Sequence, residues 1–144
     1  MFSKIVVALN ELPESQRALR TAIELARASD AGLVTVSVLG DLPTYISFAI
    51  VVDPNAANAM KEDRLMAHGE LHNKASLLAQ EHGVRATGSI IEGQEVQAML
   101  HFLKHERADL FVTGLHQHDF YLSRFWSSVY DLAQDAPCSV LGVH

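Results

Sequence analysis

The sequence predicts an α/β protein with a doubly wound, five-stranded parallel sheet and helices on both faces. Short apolar runs, several of them rich in valine and isoleucine, are typical of strands buried on both sides. Segments with helical periodicity alternate with these runs, which favours parallel strands joined by helical crossovers. The chain has 144 residues, the size of one ordinary domain, so we expect residues 1–144 to form a single domain.

The first part of the chain contains two predicted strands with a helix between them. Lys4–Leu9 is a continuous apolar run, and Leu33–Leu39 is the second such run. Pro13 suits the first position of a helix, which we expect to continue to about Ser29. Four residues at helical spacing predict the buried stripe of this helix: Leu19, Ala22, Ile23 and Ala26.

The segment after the second strand is too apolar for an ordinary solvated loop. We interpret Leu42–Val52 as a lid that packs against the core, or alternatively as the lip of a ligand pocket or a partner surface. Asp53 is suited to cap a helix and Pro54 to begin it. This helix is expected to reach about Glu81, with a buried stripe formed by Leu71, Ala75, Leu78 and Ala79.

The same alternation continues through the second half of the chain. Val84–Ile91 is the third predicted strand, and Asp109–Thr113 is the fourth. The helix between them is predicted over Gln94–Glu106. Its apolar face is expected to comprise Val96, Met99, Leu100 and Leu103.

A polar loop rich in histidine follows the fourth strand. The loop begins at Gly114, and Ser127-Ser128 is predicted to open the last helix, which Pro137 stops. Ser139–Val143 is the last predicted strand. Ligands of parallel α/β sheets bind at the carboxyl ends of the strands, so this loop is the first place to look for a site.

Composition excludes several classes of function. The net charge is −6 and no cluster of Lys and Arg stands out, so no nucleic-acid partner is expected. No apolar stretch approaches the roughly 20 residues that a membrane span needs. The single cysteine, Cys138, cannot form an internal disulfide, which suits the reducing cytoplasm. We therefore expect a soluble cytoplasmic protein.

Several segments together resemble the universal stress protein family, in order and spacing over essentially the whole chain. They are KIVVALNELPES, LVTVSVL, IIEG, ADLFVTG and APCSVLGV. The resemblance implies the strand order 3-2-1-4-5 and a homodimer that pairs through the last strand, Ser139–Val143. This pairing is physically reasonable, because that strand would otherwise be an unpaired apolar edge.

The resemblance also bears on nucleotide binding. Family members that bind ATP carry Gly-x-x-Gly, nine residues and then Gly-Ser/Thr, and an acidic residue follows their first strand. Here Gly114 matches the first glycine, Gln117 replaces the second, and Ser127 or Trp126 replaces the third. Asn10 replaces the acidic residue. The loop is similar to the universal stress protein A type, which implies a non-catalytic protein without tight ATP binding that acts through protein contacts under stress.

Two alternatives stay open. The first is weak binding of an adenine nucleotide, ATP or AMP, in which Val38 lies near the base and Asn10 near the ribose. Gly114, Ser127 and Ser128 would then lie near the phosphates. The second alternative is metal binding through His116 and His118, since alternate histidines can reach one ion, although no third ligand is fixed by the spacing.

Two further histidine pairs have the i, i+4 spacing that zinc ligands on a helix use. They are His68 with His72 and His101 with His105. Neither pair belongs to an HExxH motif, so we expect both to lie on exposed polar faces of amphipathic helices. No Gly-x-Ser-x-Gly elbow surrounds the serines of the last helix, and no catalytic residue is predicted.

Overall fold

The computed structural model describes residues 1–40, 53–115 and 123–144, and residues 123–128 only in their backbone. The predicted segment Leu42–Val52 lies outside the described residues. The strands are β1 (Lys4–Ala8), β2 (Gly32–Leu39), β3 (Ala86–Glu92), β4 (Leu110–Gly114) and β5 (Ser139–Val143). The helices are α1 (Pro13–Ser29), α2 (Pro54–Glu81), α3 (Glu95–Glu106) and α4 (Ser123–Asp135).

The five strands form one parallel sheet in the order β3-β2-β1-β4-β5. Both the predicted fold class and the predicted strand order are confirmed. β1 is central, and its Val6 pairs with Val34 of β2 on one side and with Phe111 of β4 on the other. β3 and β5 are therefore the two edges of the sheet.

Alternate residues of each strand supply two separate cores, one on each face of the sheet. On the face covered by α1 and α2, Ile5 and Val7 pack with Leu33 and with the predicted stripe of α1. On the face covered by α3 and α4, Val6 and Val36 pack with a second set of buried residues: Met99, Phe102, Leu103, Phe111 and Leu132. We call these the α1/α2 face and the α3/α4 face.

The ends of the helices follow local chemistry that the sequence displays. Pro13 is the first residue of α1, as predicted. Asp53 caps α2, because its carboxylate accepts hydrogen bonds from Asn55 N at 3.1 Å and Ala56 N at 3.4 Å. Gln94 is the cap of α3 and not its first residue, since its side chain accepts from Gln97 N at 2.9 Å.

One predicted helix start is wrong. α4 begins at Ser123, four residues before Ser127, so Ser127 does not open this helix. The third strand also begins two residues later than predicted, at Ala86. In the part of the chain that the structure describes, no helix is long and apolar enough to span a lipid bilayer.

Candidate functional site

The carboxyl ends of β1 and β4 form the crevice where this topology places ligands. β1 leads to α1 on one face of the sheet and β4 leads to α4 on the other. Adjacent parallel strands whose connections diverge in this way leave a crevice between their ends. Asn10 and Gly114 follow or end these two strands, so the structure brings two of the predicted site residues to the same edge.

Asn10 is exposed, but its side chain serves the turn in which it lies. Its Oδ1 accepts a hydrogen bond from Leu12 N at 2.9 Å, and its own N–H donates to Ser15 Oγ at 2.9 Å. The Ser15 hydroxyl donates to Ala8 O at 3.3 Å and is buried. Asn10 and Ser15 together therefore fix the path from β1 into α1, which is the usual role of an asparagine turn.

Gly114 is required by packing against the start of α1. A Cβ at this position would lie 2.6 Å from Glu14 C, 2.7 Å from Glu14 O and 2.8 Å from Ser15 N. All three contacts are with backbone atoms, which cannot move aside as a flexible side chain can. The glycine that the sequence offers for phosphate binding thus has a structural reason of its own, the close approach of β4 to α1.

The chain beyond Gly114 is tied to the last strand. Leu115 N donates to Val143 O at 2.6 Å, and Gly142 leaves room for the Leu115 side chain, whose Cδ1 would lie 2.6 Å from an added Cβ. Arg17 Nε of α1 donates to the carbonyl of His144 at 2.8 Å. These contacts hold β5 against the same edge that contains Asn10 and Gly114.

The other three residues predicted to contact a nucleotide are less well placed to bind one. Val38 lies near the end of β2, pairs with Ile91 and packs toward the α3/α4 face. Ser127 and Ser128 are the fifth and sixth residues of α4. Only the first four N–H groups of a helix lack an internal acceptor, so these two amides are not free helix-start donors.

The predicted metal ligands His116 and His118 lie outside the described residues. Over residues 1–40, 53–115 and 123–144, no group of three or more His, Cys, Asp or Glu side chains is placed to hold a metal ion. The Cys138 thiol is half-buried, and burial together with the nearby Asp109 carboxylate raises its pKa. A raised pKa keeps the thiol protonated, so Cys138 lacks the character of a reactive cysteine.

The prediction for one histidine pair is wrong. His72 is buried, with only 8% of its surface exposed, and His68 is half-buried. His72 Nδ1 lies 2.7 Å from Thr35 Oγ1, and its Nε2 lies 2.8 Å from Ser37 Oγ. The second pair, His101 and His105 on α3, is exposed as predicted.

The spacing of the histidines along α2 does not by itself predict this buried polar group. The signal lay in β2, where Thr35 and Ser37 interrupt an apolar strand at alternate positions and so point to one face. Two hydroxyls on a buried face need polar partners. His72 and His68 of α2 supply those partners.

The five-stranded parallel sheet with helices on both faces places this chain among the doubly wound α/β proteins. The family model described as "Universal stress protein family" matches residues 1–144. The chain belongs to the universal stress protein family, as the sequence resemblance implied.

Similar proteins carry the same family name. Universal stress protein C of Salmonella typhi is 27% identical over 122 residues, which cover 83% of this chain and 87% of that protein. A universal stress protein solved in complex with cAMP superposes with a TM-score of 0.76 at 21% identity, covering 99% and 97% of the two chains. The Archaeoglobus fulgidus protein in complex with dAMP gives 0.67 at 20% identity, covering 99% and 98%.

Proposed function

We propose that this chain is a non-catalytic universal stress protein that acts in the cytoplasm as a homodimer, through protein contacts during stress, and does not bind ATP tightly. The observation that carries the proposal is the packing at Gly114. Backbone atoms of Glu14 and Ser15 lie too close to the position that a Cβ would take, so this packing explains the glycine without a bound phosphate.

The other groups predicted to contact ATP are also poorly suited to bind a triphosphate. An ATP site of this type uses backbone N–H groups that are free to point at phosphate oxygens. The amides of Ser127 and Ser128 lie one turn inside α4, where helical hydrogen bonding uses them. Asn10 already accepts a hydrogen bond from Leu12 N and carries no charge.

A second candidate is weak binding of an adenosine monophosphate. Two of the similar structures hold cAMP and dAMP, each of which has a single phosphate. A monophosphate asks less of the glycine loop than a triphosphate does, because it needs donors for one group only. The position of Asn10 and Gly114 at the carboxyl edge of β1 and β4, where ligands of this topology bind, supports this candidate.

A thermal-shift titration with Mg-ATP, AMP and cAMP tests the ligand part of the proposal. With about 1 mM ligand and a Kd near that value, linkage stabilises the fold by only about 0.4 kcal/mol. For a domain of this size that is a rise in Tm of about 1–2 °C. We expect Mg-ATP to give no larger rise, and a shift of several degrees would contradict the proposal.

Asn10→Asp is the matched variant for the second candidate. The carboxylate keeps an acceptor for Leu12 N and adds one for ribose hydroxyls, as acidic residues do in related α/β sites. If AMP enters the crevice, its saturable shift should be larger in this variant than in the wild type. Equal shifts in both proteins would place any bound AMP elsewhere.

The homodimer is proposed to form along β5. This strand is an edge of the sheet, and Val140, Leu141 and Val143 are only half-buried in the single chain. Val143 O faces β4, because it accepts from Leu115 N. Successive residues of a strand direct their backbone groups to opposite sides, so the N–H of Val140 points to the open edge.

Val140→Pro removes that outward N–H and is expected to convert the dimer to a monomer. Proline is tolerated on an edge strand when its missing N–H faces away from the sheet. Val140→Ala is the control, because it shortens the side chain but keeps the donor. Light scattering after size exclusion measures both masses, and a Val140→Pro protein that stays dimeric would show that β5 is not the interface.

A further inference from the structure

A continuous chain of hydrogen bonds joins α2 to β2 beneath the α1/α2 face. His68 Nδ1 lies 2.7 Å from Ser37 Oγ, and Ser37 Oγ lies 2.8 Å from His72 Nε2. His72 Nδ1 lies 2.7 Å from Thr35 Oγ1, which donates to Thr87 O of β3 at 3.4 Å. Four polar side chains thus connect the helix to both strands beneath it.

The sheet is shaped to accept the His72 ring. Gly88 of β3 pairs with Thr35 of β2, directly beside the ring. A Cβ at Gly88 would lie 2.9 Å from His72 Nδ1 and 3.1 Å from its Cβ and Cγ. Gly88 therefore leaves the space that the imidazole fills, and a residue with a side chain at this position would exclude the ring.

One assignment of protons satisfies every member of the chain. Thr35 donates to Thr87 O, so it must accept from His72 Nδ1–H. His72 Nε2 is then an acceptor for the Ser37 hydroxyl, and Ser37 Oγ accepts from His68 Nδ1–H. This arrangement requires a neutral His72, because a protonated imidazole has two donors and no acceptor.

Among the described residues that face His72, no carboxylate is placed to stabilise a proton on its ring. β2 carries no titratable side chain, and Glu92, the only one in β3, is paired with Lys61 at 3.4 Å. On α1, Arg17, Arg20, Glu24 and Arg27 are exposed, and Glu14 lies against Gly114 with β1 between it and β2. The titratable group in direct reach, His68, is itself a base, so its charge would repel a second one.

We propose that the chain His68–Ser37–His72–Thr35 is an acid-sensitive latch that holds α2 on β2 and β3, and that protonation of His72 releases the helix. A second proton turns Nε2 into a donor that faces the Ser37 hydroxyl. Both imidazoles then donate to Ser37, and when His68 is also protonated, the two charges lie on the same side of the sheet.

The direction of the pH effect follows from burial. Burial, followed by the charge of His68, lowers the pKa of His72. The unfolded chain therefore takes up a proton near the ordinary histidine pKa of about 6.5, before the folded protein does. Stability contributed by neutral His72 is fully present above that pH and is lost as pH falls toward the lower pKa of the folded state.

Urea unfolding at pH 7.5 and pH 5.0 tests the latch with His72→Gln and the matched variant His101→Gln. His101 belongs to an exposed pair with the same spacing on another helix. From pH 7.5 to pH 5.0, the equilibrium constant for unfolding should rise in the wild type and in His101→Gln. The part of this rise that is due to His72 should be about tenfold for each unit by which its pKa is lowered. His72→Gln should lack this part of the rise, and an undiminished rise would overturn the proposal.

Hydrogen exchange shows which helices and strands lose stability at low pH. After correction for the intrinsic rate, amides of α2, β2 and β3 should lose protection at pH 5.0 more than those of α3 and α4 in the wild type. Uniform loss across the sheet would contradict a latch. If His72→Gln does not fold, NMR titration of the wild-type rings decides: His72 must titrate below the ordinary histidine pKa of about 6.5, and titration at or above that value overturns the proposal.

Discussion

The two faces of the sheet are held in different ways. On the α3/α4 face, the described buried residues are all apolar, from Val6 and Val36 to Met99 and Leu103. On the α1/α2 face, the apolar core gives way to hydroxyls and imidazoles toward the end of β2. Among the described residues, every buried polar side chain belongs to this second face: Ser15, Thr35, Ser37 and His72.

The difference shows how one helix can combine two kinds of contact. The stripe of α2 that faces the sheet begins with small residues, Ala79 and Ala75, and continues through His72 and His68 to Arg64. Arg64 donates to Gly40 O at 2.7 Å, just beyond β2. Apolar packing is insensitive to pH and to direction, whereas each hydrogen bond requires a donor and an acceptor in register.

The largest expected effect comes from the apolar face. Leu103 is fully buried, so Leu103→Ala should lower the free energy of unfolding by about 2–5 kcal/mol through lost burial and the cavity that remains. This loss should be the same at pH 7.5 and pH 5.0, because no titratable group takes part. Urea denaturation at both pH values measures it, and a strongly pH-dependent loss would show that the two faces are coupled.

A smaller effect is expected from closing the space beside His72. Gly88→Ala places a methyl group 2.9 Å from the ring nitrogen and should cost about 1–3 kcal/mol by displacing the imidazole. The His72 resonance should also titrate closer to its ordinary pH, because a displaced ring is less buried. Unchanged stability together with an unchanged titration would mean that the ring does not depend on this glycine.

The smallest effect is expected from the other glycine of this region. Gly69 lies inside α2, and no atom of the described residues is within 4 Å of the position of an added Cβ. Gly69→Ala should therefore stabilise the protein by about 0.5–1 kcal/mol, since glycine is a poor helix former. Thermal unfolding measures the gain, and a loss of stability would reveal a close neighbour of α2 at this position.

The family and the general fold could be read from the sequence because their signals are local. Continuous apolar runs such as Lys4–Leu9 predict buried strands, and Asp53-Pro54 predicts the start of a helix through side-chain chemistry. Both predictions are confirmed. The prediction of a helix start at Ser127 is wrong: serine is a common cap, but the helix already begins at Ser123.

The candidate site depended more strongly on contacts between distant parts of the chain. Gly114 could be found from the sequence, but its reason could not, because it lies in the approach of α1 to β4. The sequence prediction of an exposed His72 is wrong because helical spacing does not say which side of a helix meets the sheet. The alternate hydroxyls Thr35 and Ser37 were the evidence that would have placed it.

By itself, the sequence determined the alternation of strands and helices, the N-terminal cap of α2, and the absence of two of the family's three phosphate glycines. These features depend on residues near one another in the chain, where periodicity and side-chain chemistry act directly. Only the tertiary structure decided that Gly114 serves backbone packing and that His72 is buried against Thr35 and Ser37. Each depends on two segments that fold from distant positions into contact, and no local pattern encodes that distance.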